Sequence, residues 1–217
     1  MTSRATIEGR LAAADPALGR VIDAVVARIG RQRITPSRAT PFEALVRAVV
    51  HQSVSGKAAA SIFNRLKEIV GKPFTPSKIM AFRPQSWTRA GLSSAKARTI
   101  RSLAGWFAAN PKLAKLLPTL PDDQISATLR GIPGMGTWTI NVFLIFSLGR
   151  MDVAPTADLG IRRGIQLADG SRTLSTPAQV LVRSQTWSPY RSIASIYLWQ
   201  ASKLKLGPGD IKKATER

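Results

Sequence analysis

Apolar residues recur along this chain at steps of three and four, the spacing that lays one stripe along a helix. Over 17–30, Leu18, Val21, Ile22, Val25, Val26 and Ile29 form such a stripe, and Gly30 closes it. Pro41 opens a second over 41–52, with Phe42, Leu45, Val46, Val49 and Val50 on one face. Ala58, Ala59, Ile62, Phe63, Leu66, Ile69 and Val70 mark a third over 56–70. Further helices are predicted over 77–82, 84–90, 94–109, 111–116, 122–130, 137–148, 158–168, 176–185 and 189–204, separated by short loops holding Gly or Pro. Strict alternation, the mark of a half-buried strand, is essentially missing, so the predicted fold class is all-α. Without a fixed-period unit or heptads, the pattern implies an array of short helices and not a solenoid or coiled coil. The polar, basic ends, 1–10 and 207–217, are expected to be mobile.

Charge changes the picture next. Thirty-two Lys and Arg face 12 Asp and Glu among 217 residues, a formal net charge of +20, while 44% of the residues are hydrophobic. That much apolar material supplies a buried core, so the basic excess belongs to a folded protein with a polyanionic partner. Nucleic acid is the leading candidate, because the charge is spread along the chain and not gathered into one amphipathic, membrane-binding segment. No apolar run is long enough for a membrane span, and MTSRATIEGR carries no apolar signal core. A cytoplasmic location, nucleoid-associated in a bacterium, is the expectation. Zero cysteines and the lone His51 exclude disulfides, thiolate sites and multi-histidine metal centres, and neither metal nor cofactor is expected.

The most informative stretch is LRGIPGMGTWT, residues 129–139. Gly134 and Gly136, after Pro133 and before an apolar helix, make a tight turn whose amides no side chain covers. Free N–H groups and the positive end of a helix dipole favour a phosphate there. Such contacts anchor a nucleic-acid backbone without reading sequence. An ordinary connection between two helices has the same signature.

These residues resemble the helix-hairpin-helix (HhH-GPD) DNA glycosylase superfamily, closest to its 3-methyladenine DNA glycosylase II branch, with no counterpart expected of that branch's optional extra N-terminal domain. The likeness continues through Asn141-Val142-Phe143-Leu144 and Gly149 to Gly160, and touches Val50 to Ala59, Gly91 to Ala97 and Trp187 to Trp199, covering roughly 40–204. It implies a catalytic aspartate about twenty residues past the hairpin, where Asp158 stands. Cleaving an N-glycosidic bond puts positive charge on the sugar, and a carboxylate stabilises it and orients water. Asp158 also suits a plain helix N-cap. Asp152 matches a non-catalytic position. Strand-cleaving members carry a lysine where this chain has Trp138, so the resemblance implies a monofunctional enzyme. Trp138 offers a π-face for a cationic alkylated base, although it would serve equally as a core residue.

Trp199 matches a second pocket aromatic, and Tyr190 or Trp187 could line the rim; core packing accounts for them as well. The resemblance implies that Gln52 and Ser53 fall beside the gap a flipped base leaves, with Ser53 standing where many relatives have a second glutamine. Val142 replaces a frequent aromatic. His51 either touches DNA or packs at a helix end. Contacts to DNA are expected from Gly134, Met135, Gly136 and Thr137, and from Arg130, Arg162, Arg163, Arg191 and Lys57; solvated surface charge is the alternative for each cation.

The expected architecture has a central helical subdomain (38–155) ending in the hairpin and a C-terminal one (156–217) against which residues 1–37 pack. A cleft between them would hold the flipped base, with Trp138 and Asp158 on facing walls. The expected activity is hydrolytic release of 3-methyladenine and 7-methylguanine from double-stranded DNA by a monomer without membrane contact. A non-catalytic module for bent or damaged DNA and a glycosylase for another lesion remain the alternatives.

Overall fold

Proline and hydroxyl side chains start most of the helices. In the computed structural model, which describes residues 6–207 and 209–211, Pro occupies the first turn at residues 16, 41, 76, 84, 111 and 177. There its missing N–H costs nothing. Thr6, Ser55 and Ser93 cap others by accepting a backbone N–H, and Thr40 and Thr176 do so ahead of Pro41 and Pro177. Among the described residues the result is thirteen α-helices and no strand. They are α1 (Ile7–Ala14), α2 (Pro16–Ile29), α3 (Pro41–His51), α4 (Gly56–Val70), α5 (Pro76–Met80), α6 (Pro84–Ala90), α7 (Ser94–Ala109), α8 (Pro111–Leu116), α9 (Asp122–Arg130), α10 (Thr137–Phe146), α11 (Leu159–Asp169), α12 (Pro177–Ser184) and α13 (Arg191–Lys203). No described helix is long and apolar enough to cross a membrane.

The chain forms two units, one of residues 36–148 and one of 1–35 with 149–217. In the first, α3 is the buried centre: Leu45, Val46, Val49 and Val50 are fully enclosed, and α4, α7 and α10 pack around it. In the second, α11 and α13 lie against each other and against α2. Leu18, Val25, Ile165, Trp187 and Tyr197 belong to its core.

Polar contacts tie the N-terminal helices into that second unit. Asp15 accepts from Arg183 Nε at 2.7 Å and Nη2 at 2.9 Å, and from the buried indole of Trp187 at 2.9 Å. Arg183 also grips Asp169. Burial alone would raise the Asp15 carboxyl, but these donors and the Leu18 amide outweigh it and hold the group below its ordinary value. Tyr197 donates to Glu8 at 2.9 Å and accepts the Gln32 amide at 3.0 Å, and burial pushes its phenol up to about 12.

Two findings differ from the sequence reading. Residues 6–10 and 209–211 are not loose ends. Ile7 to Arg10 open α1 behind the Thr6 cap, with Glu8 buried, and Ile211 is buried in the core. The remaining terminal residues, 1–5, 208 and 212–217, lie outside the described residues. Residues 149–155, assigned from sequence to the central subdomain, belong to the other unit. Three ties explain it: Ser192 donates its amide to Met151 O (3.0 Å), its hydroxyl accepts the Val153 amide (3.0 Å), and Asp152 binds Arg191.

Candidate functional site

The hairpin is a backbone device. It turns from α9 into α10 through Ile132 to Gly136, closed by Met135 N donating to Ile132 O at 3.0 Å. Gly134 adopts φ 85°, and a Cβ on it would overlap the Thr99 hydroxyl of α7, so both conformation and packing demand glycine. Gln52, the residue ending α3, fastens the turn from the other side. Its Nε2 donates to Thr139 Oγ1 at 2.6 Å and to Gly134 O at 3.3 Å. Gly136 is the N-cap of α10 and supplies no capping side chain. Among the described residues the amides of Gly136 and Thr137 make no hydrogen bond, and both residues are exposed. An uncapped helix start with outward N–H groups suits an anion.

Asp158 is built the opposite way. Its amide donates to Pro155 O (3.0 Å), ending the segment pinned to α13, and its side chain then starts α11. Oδ1 accepts the Ile161 amide at 3.0 Å and the Trp199 indole N–H at 2.7 Å. The carboxylate is half-buried, and the N-cap role is real. Yet a cap alone does not need an indole from another helix. Trp199 is thus brought directly onto Asp158, while Trp138, Gln52 and Ser53 belong to the other unit. Trp138 is half-buried on the first turn of α10.

A family model described as an HhH-GPD superfamily base excision DNA repair protein matches residues 46–189, a span holding both the hairpin and Asp158. The chain belongs to the HhH-GPD superfamily. Among curated relatives, it is 36% identical over 172 residues to DNA-3-methyladenine glycosylase 1 of Schizosaccharomyces pombe, covering 76% of this chain and 73% of the relative. It is 30% identical over 196 residues to DNA-3-methyladenine glycosylase 2 of Escherichia coli, covering 83% and 65%. A solved S. pombe 3-methyladenine DNA glycosylase in complex with abasic DNA superposes with a TM-score of 0.82 at 31% identity, covering 91% of this chain and 96% of that one.

Within this HhH-GPD chain several side chains have other uses than those expected. Arg191 forms a two-pronged pair with Asp152, at 2.7 and 2.9 Å, and Ser188 adds a third contact. The Arg191 hydrogen bond leads in holding the Asp152 carboxyl below its ordinary value. The Met135 side chain is buried and its amide closes the turn. Arg162 is half-buried and spends Nε on Ser175 O at 2.6 Å. Trp187 is core, not rim. Tyr190 is half-buried and accepts from Arg10 at 3.2 Å. Gln52 is a strut for the hairpin.

Arg130, Arg163 and Lys57 are exposed, as is Ser53, which sits at φ 54° in the left-handed region and begins a turn that leaves Val54 exposed as well. His51 is pushed below its ordinary value by burial, with Arg47 and Lys96 adding to it. Lys96 bends inward to cap α3 through Val50 O at 2.8 Å. Sequence reasoning missed Thr139 and Ser192, whose hydrogen-bond partners Gln52 and Val153 lie tens of positions away, and Thr99, which packs against Gly134. It also gave Gly160 no part in the site.

Proposed function

We propose that this protein is a monofunctional DNA glycosylase that hydrolyses the N-glycosidic bond of alkylated purines, 3-methyladenine and 7-methylguanine, in double-stranded DNA, leaving an abasic site for base excision repair. The observation that carries the reading is the carboxylate of Asp158, fixed by two donors at the start of α11 in an HhH-GPD chain. Its relatives named for 3-methyladenine support the substrate class.

The chemistry follows from what the bond needs. The target nucleotide must leave the stack before any group reaches its sugar. A purine alkylated on the ring carries positive charge, which makes it a better leaving group and draws it to an indole face such as that of Trp138. As the C1′–N bond lengthens, its electron pair leaves with the base and the sugar becomes oxocarbenium-like. Asp158 stabilises that charge and orients the water whose oxygen bonds C1′, while the water's proton goes to the carboxylate or solvent. With tryptophan in place of a lysine, position 138 offers no amine for a Schiff base, so the strand is left intact.

The hairpin amides, with Arg130, Arg163 and Lys57, would hold phosphates without reading sequence. The protein acts as a monomer on DNA, makes no membrane contact, and in a bacterium works in the cytoplasm at the nucleoid. The test is release of methylated base from alkylated duplex DNA. Asp158→Asn should lower the single-turnover rate by about a hundredfold or more while retaining binding to abasic-site duplex. Equal release by both proteins sinks the mechanism. Tight abasic-site binding with no release by either protein would mean a damage-binding module.

A further inference from the structure

Two of the features around Asp158 remain unexplained by capping or base stacking. The first is that two donors converge on one oxygen, Oδ1: the Ile161 amide from its own helix and the Trp199 indole from α13. The second is the residue between them. A Cβ at position 160 would lie 2.8 Å from Trp199 Cδ1, 3.1 Å from Asp158 Oδ1 and 3.4 Å from Trp199 Nε1. One turn later, a Cβ at Gly164 would lie 2.6 Å from Leu198 O. Glycines four apart share one helix face, so α11 presents bare backbone to α13 where the indole must cross. Neither glycine has a left-handed φ, so space and not backbone conformation requires them.

We propose that Trp199 and Gly160 are a positioning couple for Asp158: the indole N–H fixes the carboxylate's rotamer, and Gly160 provides the gap through which the indole reaches it. This rests on the reading of Asp158 as the reacting carboxylate. The role differs from a base-stacking platform. A charge-assisted hydrogen bond of 2.7 Å restrains both the torsion and the plane of the carboxylate. Stabilising a developing sugar cation depends on that placement. The edge of the indole that carries N–H is spent on Asp158, and its body packs on the core of its own unit. On this account a change at Trp199 acts through kcat, by loosening the acid, whereas a stacking role acts through binding of the extruded base.

The experiment exchanges the indole N–H and little else, replacing Trp199 by its benzothiophene isostere, with Trp199→Phe alongside. Base release from alkylated duplex, KM and affinity for abasic-site duplex are measured together. The expected result is a fall in kcat of roughly tenfold with KM and abasic-site affinity unchanged within about twofold. Gly160→Ala should reproduce the loss in the parent protein and add less in the Trp199→Phe background, where the methyl group still lies beside Asp158 Oδ1 but has lost its closest contact, the indole. Full kcat in the isostere, a loss carried by KM, or independent multiplication of the two substitutions would each overturn the proposal.

A readout without substrate separates it from the glycosylase reading. In a ¹H–¹⁵N spectrum, the indole resonance assigned by Trp199→Phe should move markedly in Asp158→Ala. If it stays in place, the positioning role is wrong even though Asp158 remains the acid. If it moves but Asp158→Asn releases base like the parent, the reading of Asp158 as the reacting carboxylate fails and the contact stands.

Discussion

Two helix starts carry the candidate chemistry, and they are finished in opposite ways. At α10 the N-cap is Gly136, no side chain fills the end, and the amides of Gly136 and Thr137 stay uncommitted among the described residues. At α11 the N-cap is Asp158, whose carboxylate takes the Ile161 amide and then an indole. The physics at both ends is the same positive helix terminus. One is left for an anion from outside, while the other holds an anion of the chain's own. A protein that must grip a polyanion and also present a carboxylate to it needs both finishes, kept apart in the sequence.

The sharpest way to break this contrast is to make the ends alike. Gly136 has φ −80° and ψ 166°, ordinary for any residue, and a Cβ there meets nothing within 4 Å. Gly136→Asp should therefore fold, with stability raised by about 0.5 kcal/mol from the new cap. Its affinity for duplex DNA should fall roughly a hundredfold, because a carboxylate now occupies the phosphate's place. Unchanged affinity in a filter-binding or anisotropy titration would show that the α10 terminus is not an anion site.

Salt dependence gives a smaller effect that separates free cations from spent ones. Arg130 is exposed at the end of α9, whereas Arg191 is locked to Asp152. Arg130→Ala should reduce the slope of log affinity against log salt by about 0.9. Arg191→Ala should leave that slope alone and instead lower thermal stability, since it frees Asp152 and the 149–155 segment.

The smallest effects are those of pH on the unit that carries Asp158. The Asp15 carboxyl is held below its ordinary value, so its stabilisation is complete above about pH 4 and is lost as pH falls further. Tyr197 is pushed up to about 12, so its contribution is complete below roughly pH 10 and is lost as pH rises toward the folded value. Thermal unfolding against pH should show both flanks. Asp15→Asn should flatten the acid one and Tyr197→Phe the alkaline one; an unaltered profile in either variant contradicts the assignment.

How far the sequence reaches differs between these same regions. The helices were legible wherever one stripe of large apolar residues ran for three turns, as in α2, α3 and α4. They were not at α1, where IEGRLAAA has few such positions and Tyr197, far along the chain, supplies the anchor for Glu8. The hairpin could be read because glycines mark a backbone conformation locally. Asp158 could be singled out by its place before a helix and by the family resemblance, which implies an aspartate about twenty residues past the hairpin. Its hold on Trp199 could not, nor could the pairing of Arg191 with Asp152, because each joins residues about forty apart. Among 32 cations nothing local says which one an acid will claim.

The bare start of α10 has one more consequence, for how such a protein should be dissected. If its grip on DNA comes from peptide N–H groups, a conventional alanine scan of the hairpin reports only packing and turn geometry, since alanine retains the donor it is meant to delete. Ester replacement of single amides by protein semisynthesis removes the donor and keeps the side chain. Function carried by the main chain is conserved through almost any substitution that preserves the turn, so tolerance to mutation at Thr137 would be no sign that the position is idle.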